Sequence, residues 1–133
     1  MKLVNIPPVM SVDIEDSMDI MIARDTARRA ASLLGFNTSC KAQLAAAVAA
    51  LTETILKASN EGIIHLNGVQ SGAKIGIQVS CEAAWLRNAP RAVSDALHDR
   101  LSKMVDKVDI VEHDPPRISM LFWLSASRQV KEG

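Results

Sequence analysis

Apolar residues recur along this chain with two different periods, and the switches between them mark its elements. Val12-Asp13-Ile14 follows a Pro-Pro lead-in and reads as a short first strand. Ser17 suits a helix N-cap, and Asp19 falls in the first turn, where a carboxylate meets unpaired N–H groups. Ile20, Ala23, Ala27, Ala30 and Leu34 then repeat at helical spacing, and Gly35 is placed to end that helix in a left-handed position. Phe36 to Ser39 leads into a second helix, predicted from about Cys40 to Ala58. Its stripe is Leu44, Val48, Leu51, Ile55 and Ala58, thickened by Ala45, Ala46, Ala47, Ala49 and Ala50. Alanine favours the helix and lets a neighbouring element approach closely. Asn60-Glu61-Gly62 breaks it.

The period then falls to two. Ile63 to Val69 is followed by a turn at Ser71-Gly72, after which Ile75, Ile77, Val79 and Cys81 alternate with Lys74, Gly76, Gln78 and Ser80. This predicts a hairpin with one buried face. A third helix starts near Pro90, a residue suited to a first turn, and carries Val93, Leu97, Leu101 and Met104. Val108 to Val111 is a further strand, and Asp114-Pro115-Pro116 turns the chain. Ile118 to Leu124 is apolar on both faces and is placed inside the sheet. The polar tail from Arg128 to Gly133 is expected to fray. The order β-α-α-β-β-α-β-β predicts an α+β two-layer sandwich, with a mixed sheet and the helices on one face. A chain of 133 residues without a linker or internal repeat suits one domain, residues 1–133.

Composition narrows the function classes. The formal net charge is zero and charges of both signs are interspersed, so no basic field points to nucleic acid or to an anionic membrane. Phe36, Trp85, Phe122 and Trp123 are the only aromatics, too few for a base-stacking platform. Cys40 and Cys81 match no metal knuckle or disulfide framework, and both read as small buried side chains. No apolar run has the length of a membrane span and the N-terminus has no signal-peptide pattern, so a cytoplasmic location is expected.

Several words, in order, carry a resemblance. They are Asp19-Ile20-Met21-Ile22-Ala23-Arg24, Ala31-Ser32-Leu33-Leu34-Gly35-Phe36, the run Gln43 to Val48, and the stretch Leu97 to Val111. Together, over roughly Met10 to Ser125, they resemble the small GHKL (histidine-kinase-like ATPase) domain of bacterial anti-sigma regulatory factors and switch-protein serine kinases. That resemblance implies three ATP sites. A helical E-x-x-x-N orients water and ligates magnesium through an amide oxygen. A D-x-G-x-G turn receives the adenine, and a glycine pair opens a helix whose free N–H groups take phosphates.

Laid onto this chain, each site departs from the pattern. The Glu falls on Ala50 and the Asn on Thr54. The adenine Asp falls on Ser80, with Glu82 and Ala84 in place of glycines, and the phosphate glycines fall near Asp95 and Ala96. Methyls and carboxylates therefore stand where magnesium and phosphate need amide oxygen and bare backbone. The implied function is a non-catalytic regulator, a pseudo-kinase or anti-sigma-like adaptor that acts by protein–protein binding and needs no cofactor. Its partner would be an antagonist-type domain, a sigma factor or a second copy. Trp85 follows the degenerate adenine turn, where it could plug the vacated cleft, anchor a partner or join the peripheral core. Arg24, Arg28 and Arg29 form a basic cluster on the first helix, and Arg24 and Arg28 join Trp85 as contact candidates; a solvated helix face is the plain alternative.

Two other functions fit the same residues: a divergent ATP-dependent serine kinase using Thr54, Ser80 and magnesium, or a self-associating domain whose Ala-rich second helix packs against its twin. Glu53 is read as a surface charge paired with Lys57. His65, His98 and His113, taken with Cys81 or Asp114, have no ligand spacing and are read as structural.

Overall fold

A computed structural model describes residues 2–112 and 114–130. His113 and the residues from 131 onward lie outside the described residues, and so does the reading of His113. The elements are β1 (Val4–Ile14), α1 (Asp19–Leu34), α2 (Thr38–Ser59), β2 (Gly62–Ser71), β3 (Lys74–Glu82), α3 (Arg91–Ser102), β4 (Lys107–Val111) and β5 (Arg117–Trp123). A 3₁₀ turn at Ala84–Asn88 joins β3 to α3, and another at Ala126–Arg128 follows β5. The architecture is α+β. The sheet runs β1-β2-β3-β5-β4, and every neighbouring pair is antiparallel, where a mixed sheet was expected. β5 lies inside the sheet, as its two apolar faces predict.

Local chemistry sets most boundaries. Asn37 caps α2, its Oδ1 accepting from the Cys40 N–H at 2.9 Å. Gly35 ends α1 at φ 97°, a left-handed conformation that glycine takes without steric cost. Ser17 does not cap α1. Asp19 Oδ2 instead accepts from the N–H groups of Glu15 and Asp16, at 2.7 and 3.1 Å. β1 is longer than the sequence suggests, because Pro7-Pro8 lies inside it. The register with β2 shifts between Ile6 and Val9, and an edge strand accommodates prolines that have no N–H to give. At this shift the β1 backbone passes so close to Gly68 that a Cβ there would stand 2.6 Å from the Pro7 carbonyl oxygen.

One core lies between the helices and one face of the sheet. Ile14, Ile64, Leu66, Ile77, Val79, Ile118, Met120 and Phe122 supply it from the strands. Ala23, Ala27, Ala30, Leu44, Val48, Leu51, Ile55, Leu97 and Leu101 supply it from the helices. Ala45, Ala47 and Ala50 are buried within this same core, so the small-residue face of α2 is covered by its own chain. Val93 departs from the predicted α3 stripe and is exposed. Among the described residues no helix is long and apolar enough to cross a membrane.

Candidate functional site

The α2 positions come first. Ala50 is 3% exposed and packed in the core. One turn on, the Thr54 hydroxyl donates to the Ala50 carbonyl at 2.9 Å, so its hydrogen is spent within the helix. Thr54 lines a cavity of about 420 Å³ between α2 and the start of α3, together with Lys57, Ala58, Trp85, Asn88 and Val93. Thr54 and Trp85 are thus brought together.

The β3 positions fall on the other side. Ile77, Val79 and Cys81 face the helices and belong to the core. Successive strand residues alternate between faces, so Ser80 and Glu82 face away from α2, and the expected place for them beside Thr54 is corrected. Ser80 is half-buried between its strand neighbours His65 and Ser119. Glu82 is exposed, 4.0 Å from Arg117. The β3 residue on the helix side is Cys81, and Ala83 just beyond is fully buried in the same core. Burial pushes the Cys81 thiol up to about 12, although the charge of Arg117 and a backbone hydrogen bond at Ile118 pull it down. That thiol stays neutral and offers no nucleophile at ordinary pH.

Glu82 lies instead at an open end of the sheet, where β1 and β3 finish and β2 begins. A cavity of about 710 Å³ is lined there by Asp13, Glu15, Glu61, His65, Glu82 and Trp85. Ala84 lines it as well, and among the described residues no lysine or arginine does. Four carboxylates in one cavity attract a cation and repel a polyphosphate. Trp85 lines both cavities, is half-buried and packs against the core, so its ring divides the two hollows. Sequence reasoning missed this acidic grouping because its members lie at three strand ends. Only the order β1-β2-β3 brings Asp13, Glu61 and Glu82 to one place.

The remaining candidates are scattered. Asp95 and Ala96 are exposed on α3 and line neither cavity. Arg24 and Arg28 are exposed on α1, and Arg28 pairs with Asp25 at 3.3 Å. Glu53 does not pair with Lys57 as expected. It pairs with Arg100 of α3 at 3.6 Å, and Lys57 lines the smaller cavity. His98 bonds the Val108 carbonyl through Nε2 at 3.1 Å, and His65 stands in the acidic cavity. Among the described residues no three His, Cys, Asp or Glu side chains are grouped to hold a metal ion.

No protein-family model matches the chain, and a search of the curated proteins returns no match.

Proposed function

We propose that this chain is a non-catalytic regulator of the anti-sigma or pseudo-kinase adaptor kind, similar in plan to a GHKL domain, that acts by binding another protein. The observation that carries the reading is what stands at the nucleotide positions. A core-buried methyl at Ala50 and a self-bonded hydroxyl at Thr54 offer magnesium no amide oxygen. Beside them, Trp85 fills the wall of the cleft, and the hollow beyond it carries four carboxylates. Among the described residues the acidic hollow has no lysine or arginine in its lining, the smaller one has Lys57 alone, and neither is lined by the glycine pair that cradles phosphates in such a site.

The outer face of α1 supports the binding role. Met21, Ile22 and Leu33 are 65%, 52% and 68% exposed on this helix, and Met18 just before it is 72% exposed. Arg24, Arg28 and Arg29 stand among them, also exposed. Adaptable methionines bordered by arginine are the composition of a contact surface. The partner class follows from the resemblance: an antagonist-type domain or a sigma factor.

Sedimentation of the chain, alone and mixed with purified sigma factors and antagonist-type domains, tests the reading. A stoichiometric complex is expected, weakened about tenfold or more by Arg24→Glu combined with Arg28→Glu. The absence of a complex with every member of both classes, or one indifferent to the charge reversal, would overturn it.

A further inference from the structure

At the end of the sheet remote from the acidic cavity, the chain folds back over an aromatic pair. Phe36, in the α1–α2 connection, stacks on Phe122 of β5, with ring centroids 5.2 Å apart and planes 16° apart. Both rings are essentially fully buried. The segment from Ser125 to Val130 lies across them. Arg128 makes a two-pronged bond to Asp106, at 2.7 and 2.9 Å, and donates to the Trp123 carbonyl at 2.8 Å. Its guanidinium stands 4.2 Å from the centroid of the Phe122 ring. Asp106 also accepts from the Trp123 N–H at 2.7 Å. Farther along, the Asn37 N–H donates to the Arg128 carbonyl at 2.7 Å, and the Val130 N–H donates to the Gly35 carbonyl at 2.9 Å.

What this segment lacks matters as much as what it holds. None of its side chains belongs to the apolar core, and Val130 is 59% exposed. It is fastened by polar bonds, through the Arg128 side chain to Asp106 and Trp123 and through its backbone to Gly35 and Asn37, while the strands beneath are fastened by apolar burial. Parts of a protein with few buried apolar contacts open at lower free energy than the whole. Parting of the Asp106–Arg128 pair removes the bonds between two charges and leaves neutral partners: Asn37 on the Ser127 and Arg128 carbonyls, the Gly35 carbonyl on the Val130 N–H and the Trp123 carbonyl on Arg128.

We infer that Ser125–Val130 is a latch: it opens as a unit while the sheet stays folded, and its opening frees the α1–α2 corner and bares the Phe36–Phe122 pair. Asp106 is its catch.

Native-state amide exchange on the full chain tests this, comparing wild type with Asp106→Asn. The amides to follow are Asn37 and Val130, which are bonded across the latch, against Leu66 and Val79 in the sheet. In wild type, added low guanidinium should leave Asn37 and Val130 on a shallow isotherm of their own, distinct from that of the sheet. In Asp106→Asn, Asn37 and Val130 should exchange about tenfold faster or more while keeping a shallow isotherm of their own, and Leu66 and Val79 should speed up by no larger factor, since the pair is lost from the native state alone. Exchange of all four amides along one isotherm in wild type would overturn the latch, whether or not the variant folds. So would a folded variant in which Asn37 and Val130 exchange no faster than in wild type.

Discussion

The two ends of the sheet are built on opposite principles. At the latch end the charged pair is satisfied: Asp106 is matched by Arg128 and by the Trp123 N–H, and the rings below are sealed. At the other end four carboxylates share a hollow with a histidine and half-buried Trp85. Glu82 has Arg117 at 4.0 Å, but like charges gathered in one cavity cost stability, and nothing in the packing of the core requires them. The latch end is thus built for the fold, whereas the charges of the open end are not. Ala50 and Cys81 belong to the hydrophobic core, so the packing between helices and sheet reaches toward this end unbroken.

The comparison breaks most visibly at the sealed end. Phe122→Ala should lower stability by about 3–5 kcal/mol, since it deletes a buried ring and leaves a cavity against Phe36. Denaturant titration would read this as a fall in midpoint with an unchanged slope. Asp106→Asn should cost about 1–3 kcal/mol at neutral pH, the worth of hydrogen bonds to a charged group. Its pH dependence has a definite sign. Partial burial pushes the Asp106 carboxyl up, but the hydrogen bonds from Arg128 and the Trp123 N–H, with the Arg128 charge, outweigh it and hold the group below its ordinary 3.8. A carboxyl lowered on folding contributes its full stability above the unfolded value, and that contribution fades as pH falls through the folded one. Wild type and Asp106→Asn should therefore differ most at neutral pH and converge in strong acid. Urea titrations across the acid range would check this.

Smaller effects belong to the open end. Trp85→Ala should cost about 1–2 kcal/mol, because only part of its ring leaves water on folding. Removing it should also join the two hollows, read as a larger and more accessible cleft by exchange of the neighbouring amides. Glu61→Gln with Glu82→Gln should change stability by no more than about 0.5 kcal/mol, with the sign toward stabilisation as like charges are relieved. Thermal melts at low and high salt would separate that relief, which salt screens, from any packing change.

Periodicity in the sequence carried the helices, the β2–β3 hairpin, the interior place of β5 and the Gly35 terminator. Their signals are local, with partners three, four or two residues away. The features that escaped are set by contacts distant in sequence. Asp106 and Arg128 have no shared motif, so the tail that looked frayed is held in place as far as Val130. Glu53 finds Arg100 on another helix in place of Lys57 on its own. Pro7-Pro8 looked like a lead-in because prolines seldom sit in strands, yet an edge strand with a register shift takes them. Of the positions assigned to a nucleotide cleft on α2, Thr54 lines the smaller hollow and Ala50 is packed in the core. On β3, Ser80 and Glu82 lie on the face away from α2, because side chains alternate along a strand and Cys81 takes the helix side.

On the proposed reading, the cleft beside Thr54 and Trp85 takes no nucleotide. Calorimetric titration of the intact chain with ATP and magnesium addresses it most directly. The account predicts no heat of binding up to millimolar nucleotide. Saturable micromolar binding that requires magnesium would contradict it and favour a divergent kinase.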